Sequence, residues 1–120
     1  MPKTVVPMIH IPDVRATVKW YASLGFQVLG TNEEDGEMNW AKLSFGSGEI
    51  MFNAAGKPST EQRREVDLYI RTNDVDETFR RLEQQVQVVE RPHETFYGMR
   101  EFVIRDCNGF WITFGEPAKT

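Results

Sequence analysis

The 120-residue chain contains one cysteine, Cys107, and only two histidines, His10 and His93. A single cysteine excludes an internal disulfide and is typical of a protein kept in a reducing compartment. Cys107 lies in an Asp-Cys-Asn-Gly turn signal at positions 106–109, which makes it a poor candidate for a nucleophile. The chain also lacks His-x-His, His-Glu-x-x-His and cysteine-cluster spacings, so no common metal-binding motif is present.

Several further absences narrow the function classes. The formal net charge is −4, and no basic stripe with interleaved aromatic residues occurs, which argues against a nucleic-acid partner. No apolar run approaches the length of a membrane span, and the first residues do not resemble a signal peptide. Hydrophobic content of 40% and charged content of 27% are typical of a globular protein. We therefore expect a cytoplasmic protein without membrane or nucleic-acid partners.

The segment 9–28 shows the pattern that organises the chain. An apolar, β-branched run ends at Pro12, and Asp13 is a good helix N-cap. Val14, Val18 and Tyr21 then recur at helical spacing and give one apolar face. A glycine at position 25 suits the helix end, and a new apolar strand follows it.

The same pattern returns 61 positions later. Asp13-Val14 falls on Asp74-Val75 and Thr17 falls on Thr78, and the whole chain superimposes on itself without a gap. Each copy reads strand, helix, then three strands, which predicts an α+β fold of two βαβββ units. We predict one domain over 1–120, with a first unit at 1–54, a linker at 55–64 and a second unit at 65–120. We predict the first strand over 4–11. Residues 31–38 are interpreted as an acidic hairpin loop or a solvated insertion, and residues 91–98 as a loop that either forms a lid over the cup or packs as plain structure.

Two local motifs resemble a known superfamily. The first is Ile-Pro-Asp-Val at 11–14 with Trp-Tyr-Ala-Ser-Leu-Gly-Phe at 20–26, and the second is Arg-Asp-Cys-Asn-Gly at 105–109. Together with the repeat they resemble the vicinal oxygen chelate superfamily, which includes glyoxalases, bleomycin-resistance proteins and extradiol dioxygenases, although Cys107 replaces the usual proline. The resemblance implies a cupped mixed sheet that encloses a ligand, and a homodimer at this chain length. It does not specify an activity.

The resemblance also implies where a metal would bind. The superfamily's four ligand positions fall on Val6, Phe52, Asp67 and Thr113. Only Asp67 is a plausible ligand, and one carboxylate does not hold a divalent metal. We therefore expect no family metal site and no cofactor. A different set, His10 with Asp67 and Glu101, stays open as an alternative.

Strand alternation extends these positions to a predicted ligand-binding surface. Side chains two residues apart share a face, and the middle strands contribute residues related by the repeat. The predicted ligand-binding residues are Met8, His10, Trp40, Phe52, Asp67, Tyr69, Arg71, Tyr97, Glu101, Trp111 and Thr113. This mixture of aromatic, thioether and polar groups suits a flat, partly polar organic ligand.

Three functions fit these residues. The first is a metal-free protein of bleomycin-resistance type, a homodimer that sequesters an aromatic or peptide-like small molecule and so confers antibiotic resistance. The alternative is an enzyme, either a glyoxalase-like lyase or isomerase or a metal-independent biosynthetic catalyst, with His10 as catalytic general base. The third is a structural or interaction domain whose cup is filled by its own side chains.

Overall fold

The computed structural model describes residues 1–119. Two compact units are present, one formed by Met1–Pro58 and one that begins at Ser59. Each unit contains one helix and one four-stranded sheet.

The first unit is a mixed sheet with a single helix. Its strand order is β1-β4-β3-β2, with β1 parallel to β4 and the other neighbours antiparallel. Its elements are β1 (Met8–His10), α1 (Val14–Ser23), β2 (Gln27–Glu34), β3 (Glu37–Phe45) and β4 (Gly48–Asn53).

The second unit has the same order of elements and of strands. Its sheet runs β5-β8-β7-β6, again with one parallel pair, β5 and β8. Its elements are β5 (Asp67–Arg71), α2 (Val75–Leu82), β6 (Gln87–Glu94), β7 (Met99–Arg105) and β8 (Trp111–Pro117). The predicted α+β fold with two βαβββ units is confirmed.

Both helices begin in the same way. Asp13 accepts a hydrogen bond from the backbone N–H of Ala16, and Asp74 accepts one from Glu77, each at 3.0 Å. These carboxylates satisfy a backbone donor that the first helical turn leaves without a partner. Thr17 donates its hydroxyl proton to the carbonyl of Asp13 at 2.8 Å, and the equivalent bond recurs at the start of α2. The aspartate and threonine positions that revealed the repeat therefore form the same hydrogen bonds at the start of each helix.

Each helix covers one face of its own sheet. In the first unit Tyr21 packs against Phe52 and Phe26, with ring centroids 4.8 and 5.1 Å apart. In the second unit Phe79 packs against Phe102 at 5.2 Å, and Phe102 stacks on Phe114 at 4.8 Å. These aromatic clusters form the two apolar cores, and they leave the opposite face of each sheet without a helix from its own unit.

Three predicted boundaries were wrong. The first strand, predicted from position 4, pairs only over Met8–His10. The segment 31–38 is mostly strand: β2 and β3 are joined by a tight turn at Asp35 and Gly36, whose φ angles of 50° and 80° suit a two-residue hairpin. The segment 91–98 is half strand, because β6 continues to Glu94. Both β2 and β6 are edge strands, where charged side chains are tolerated beside solvent.

The gapless repeat was also wrong in its last strand. Ala41 pairs with Phe52, eleven positions later, whereas Phe102 pairs with Phe114, twelve positions later. Between these equivalent pairs, the second unit thus has one more residue than the first. A shift of one residue moves a strand's side chains to the other face, so the structural equivalent of Phe52 is Phe114, and that of Thr113 is Met51.

Candidate ligand-binding site

The face of each sheet opposite its helix carries most of the predicted ligand-binding residues. We call these surfaces the first and second open faces. Residues paired across neighbouring strands point to the same side, so the ladders identify the members of each face. The first open face contains Met8, His10, Trp40, Lys42, Met51 and Asn53. The second contains Asp67, Tyr69, Arg71, Glu101, Val103, Arg105, Trp111, Thr113 and Gly115.

Phe52 does not belong to the first open face. Its side chain is fully buried, at 0% exposure, against Tyr21 of α1. Its neighbour Met51 occupies the position on the open face, opposite Met8 and Lys42. The prediction that Phe52 faces a ligand is wrong, because it relied on the gapless repeat.

At one end of the second open face, Arg63 covers Asp67 and Trp111. Its guanidinium forms an ion pair with the Asp67 carboxylate and lies 4.3 Å from the centroid of the Trp111 ring. The Asp67 hydrogen bond is the main cause that raises the pKa of Arg63. The Trp111 Nε1–H donates to the carbonyl of Gln62 at 3.1 Å. Residues of the predicted linker thus lie on the face that was expected to be open to a ligand.

The arrangement does not fit the superfamily's metal. Of the four ligand positions, position 6 is a valine, and the position on β4 that faces the same side is Met51. Thr113 offers only a neutral hydroxyl oxygen, and the Asp67 carboxylate is already paired with Arg63. Within residues 1–119, no three His, Cys, Asp or Glu side chains are grouped as metal ligands would be. Asp67 and Glu101 also lie on different rungs of the sheet, a rung being a row of residues paired across neighbouring strands. Asp67 shares a rung with Trp111 and Arg105, whereas Glu101 shares one with Gly115 and Arg71. Four residues along a strand separate these rungs, about 13 Å.

The other end of the second open face contains a cluster of two tyrosines and a glutamate. Tyr69 donates its hydroxyl proton to Oε2 of Glu101 at 2.7 Å, and Tyr97 donates to Oε1 at 2.8 Å. Glu101 is 5% exposed, whereas Tyr69 and Tyr97 are 49% and 56% exposed. The carboxylate is therefore covered by two rings that themselves reach solvent.

Gly115 makes room for this contact. It pairs with Glu101 on one side and with Arg71 on the other, and a Cβ at position 115 would overlap the Tyr69 hydroxyl. The missing side chain lets the Tyr69 ring lie across β8. Burial of the hydroxyl, followed by its hydrogen bond to Glu101 and the nearby negative charge, raises the pKa of Tyr69 to about 12. The hydrogen bond to Glu101 likewise raises the pKa of Tyr97.

His10 lies on the first open face with a defined orientation. Its Nδ1 is 3.0 Å from the carbonyl oxygen of Ala54. Because a carbonyl can only accept, Nδ1 carries the proton, and in the neutral ring Nε2 is the basic nitrogen. The group that orients the ring is thus a backbone carbonyl and not a carboxylate.

The other predicted residues on the strands lie on the two open faces. Met8 is 49% exposed, and Trp40 is half-buried on the first open face, where it packs over Gly30. Arg71 is exposed and Thr113 is half-buried on the second open face.

Sequence reasoning missed Arg63, Met51 and Gly115. The basic pair at 63–64 was a usable signal for Arg63, whereas the roles of Met51 and Gly115 depend on strand register.

The family model for the glyoxalase/bleomycin resistance protein/dioxygenase superfamily matches residues 5–114. The chain belongs to this superfamily. The match runs from the first βαβββ unit into the last strand of the second and agrees with the observed element order. No protein of curated function matches the sequence.

Three solved structures show a similar fold. TioX from Micromonospora sp. ML1 is 23% identical, with a TM-score of 0.77 over 96% of this chain and 99% of TioX. A bleomycin-binding protein solved with bleomycin is 16% identical, with a TM-score of 0.73 and coverage of 96% and 98%. The bleomycin resistance determinant of transposon Tn5 is 17% identical, with a TM-score of 0.74 and coverage of 97% and 98%. At these identities the likeness concerns the fold.

No helix within residues 1–119 is long and apolar enough to cross a membrane.

Proposed function

We propose that this superfamily member is a small-molecule-binding protein of bleomycin-resistance type, which sequesters an aromatic or peptide-like compound without metal chemistry. The observation that carries the proposal is the contrast between the two faces of each sheet. The helix-covered faces are closed apolar cores, whereas the open faces display Met8 and Tyr69, with Tyr97 of the β6–β7 turn beside Tyr69, each at about half exposure. Large apolar groups displayed beside polar ones are typical of a binding surface.

The absence of a fitting metal-ligand set supports binding over glyoxalase chemistry. A glyoxalase reaction needs an electrophile that stabilises a developing enediolate, and a divalent metal commonly supplies it. The residues at the superfamily's ligand positions cannot form that site. Sequestration needs only surface complementarity, which aromatic and thioether side chains provide.

The proposal includes a single domain over 1–120, and a cytoplasmic homodimer whose subunits together enclose the ligand. The similarity to a bleomycin-binding protein and a resistance determinant makes bleomycin the first compound to test, and antibiotic resistance the first phenotype. Analytical ultracentrifugation with and without bleomycin would measure the oligomeric state. A strictly monomeric protein would contradict the shared ligand cup.

The direct test is calorimetric titration of the purified protein with bleomycin and with a panel of aromatic natural products. We expect saturable binding of at least one compound, and loss of about tenfold or more in affinity when Met8 or Tyr69 is replaced by alanine. The matched control is Lys19→Ala, an exposed change on α1, which should leave affinity unchanged. Equal affinity in all three variants would place the ligand elsewhere and refute the proposed surface.

One observation favours an enzyme as the second candidate. The Ala54 carbonyl holds His10 with Nε2 as its basic nitrogen, which is the arrangement that a general base needs. If the protein is an enzyme with His10 as its general base, a His10→Gln variant would bind the substrate normally and lose turnover. Unchanged turnover in the variant would remove His10 from the mechanism, and absence of any product after ligand binding would favour sequestration.

A further inference from the structure

Glu101 is a buried carboxylate that forms no ion pair with any residue in the described range 1–119. Both of its oxygens accept hydrogen bonds from neutral phenols. Removing a carboxylate from water has a large energetic cost, which neutral donors offset only in part. A positive group placed beside the cluster would therefore gain more here than at an ordinary exposed glutamate.

The phenolic oxygens of Tyr69 and Tyr97 can accept hydrogen bonds from a positively charged group of a ligand. A phenol has one hydroxyl proton, and both protons are already directed at Glu101. Because the pKa of each tyrosine is raised, the phenols stay protonated near neutral pH, and the cluster carries the single negative charge of the carboxylate. The remaining lone pairs of the phenolic oxygens can accept N–H bonds, and charge-assisted donation to Glu101 makes them more negative.

The rings add a second attraction for a cation. Tyr69 and Tyr97 are about half exposed. Phe96, which precedes Tyr97 at the tip of the β6–β7 hairpin, is fully exposed. The Phe96 and Tyr97 rings meet edge to face, with centroids 5.0 Å apart. Ring faces attract ammonium groups within about 6 Å, and the adjoining rings also offer area to an aromatic ligand.

We propose that Tyr69, Glu101 and Tyr97 form a recognition site for the ammonium group of an aromatic amine. The N–H groups of the ligand would donate to the phenolic oxygens, while its ring would lie on the exposed aromatic surface. This inference rests on the proposed binding function and specifies the class of compound: aromatic ligands that carry a primary or secondary amine.

Arg71 is the basic side chain that competes with such a ligand. It lies on the same open face, on the rung of Gly115 and Glu101, and its positive charge opposes the rise in the pKa of Tyr69. It makes no ion pair within the described residues. Replacement of Arg71 by glutamine should therefore tighten ammonium binding, because it removes a like charge.

The test compares phenethylammonium with phenethyl alcohol, a neutral probe of similar shape. Amide and aromatic chemical-shift titrations of the full chain would report binding in the millimolar range. We expect the ammonium compound to bind about tenfold more tightly than the alcohol, and the Glu101→Gln variant to lose this preference. Tyr69→Phe and Tyr97→Phe, which keep the rings, should each weaken ammonium binding about threefold to tenfold. Glu94→Gln, an exposed change on β6, is the matched control.

A Glu101→Gln protein that keeps the ammonium preference would overturn the inference, as would failure of the ammonium compound to bind. Equal binding of the two probes to the native chain would also overturn it, while leaving aromatic sequestration intact. The bleomycin and natural-product titrations decide the proposed function separately. If Glu101→Gln does not fold, the double variant Tyr69→Phe/Tyr97→Phe replaces it, and an unchanged preference in that protein would overturn the inference.

Discussion

The hydroxyl of Tyr69 lies over Gly115, in the space that a Cβ at position 115 would fill. This approach lets Tyr69 reach across β8 to Glu101, its hydrogen-bond partner on β7. A residue with any side chain at position 115 would force the ring away. One glycine therefore determines whether the tyrosine–glutamate cluster forms.

Gly115→Ala should destabilise the chain by about 1–3 kcal/mol, because the new methyl group overlaps the tyrosine and the hydrogen bond to Glu101 is lost. Denaturant unfolding measures the change. Gly48→Ala is the control, since a Cβ there would be 3.6 Å from its nearest neighbour. In a Tyr69→Ala background the cost of Gly115→Ala should fall to the level of that control, and a cost that did not fall would place the strain elsewhere.

Tyr69 should titrate at about pH 12 in the folded protein, well above its ordinary value of about 10. A raised pKa means that the folded state holds its proton more tightly than the unfolded state. This contribution to stability is fully present below pH 10 and is lost as the pH rises from about 10 to about 12. Tyrosine-specific labelling and nuclear magnetic resonance would follow the titration. Glu101→Gln should lower the pKa of Tyr69 only partly, because burial is its largest cause; an ordinary value in the native chain would contradict the contact.

Phe52→Ala should cost about 3–5 kcal/mol of unfolding free energy, because it removes a buried ring from the contact with Tyr21. Met51→Ala, one residue away on the first open face, should cost about 1 kcal/mol or less. Thermal and denaturant unfolding of this pair tests the assignment of faces. Met51→Ala should nevertheless weaken ligand binding more than the conservative change Phe52→Leu does. The reverse order in stability would show that β4 is turned the other way.

Arg63→Ala should expose Trp111 to solvent with little loss of stability. The Arg63–Asp67 pair is itself exposed, and such pairs contribute about 1 kcal/mol or less. In a chain with Trp20 and Trp40 replaced by phenylalanine, Trp111 emission should become easier to quench with acrylamide. Unchanged quenching would show that Arg63 does not cover the ring in solution.

The neighbouring Arg64 is the contrasting case. Its side chain is 10% exposed, donates to the carbonyl of Asn108 and lies over the Phe110 ring. Arg64→Ala should therefore cost about 1–3 kcal/mol, clearly more than Arg63→Ala. Equal costs would contradict the assigned burial of the two arginines.

The amino-acid sequence by itself determined the elements of this protein and their order. Asp13 and Asp74 cap helices through contacts three residues away, and helical or strand periodicity is set within a few residues. These interactions are local, so a linear pattern records them. The superfamily could be inferred for the same reason, since its motifs mark the start of a helix and a turn.

Only the tertiary structure decided which side chains form the candidate site. One additional residue between the equivalent pairs of the second unit changes which positions of the last strands are equivalent. Phe52 therefore corresponds to Phe114 and lies in the core, while Met51 lies on the open face. Arg63 covers Trp111, and Tyr69 reaches Glu101 across Gly115. These contacts depend on strand pairing between distant segments, where a shift of one residue reverses every side chain, and no local pattern in the sequence specifies that register.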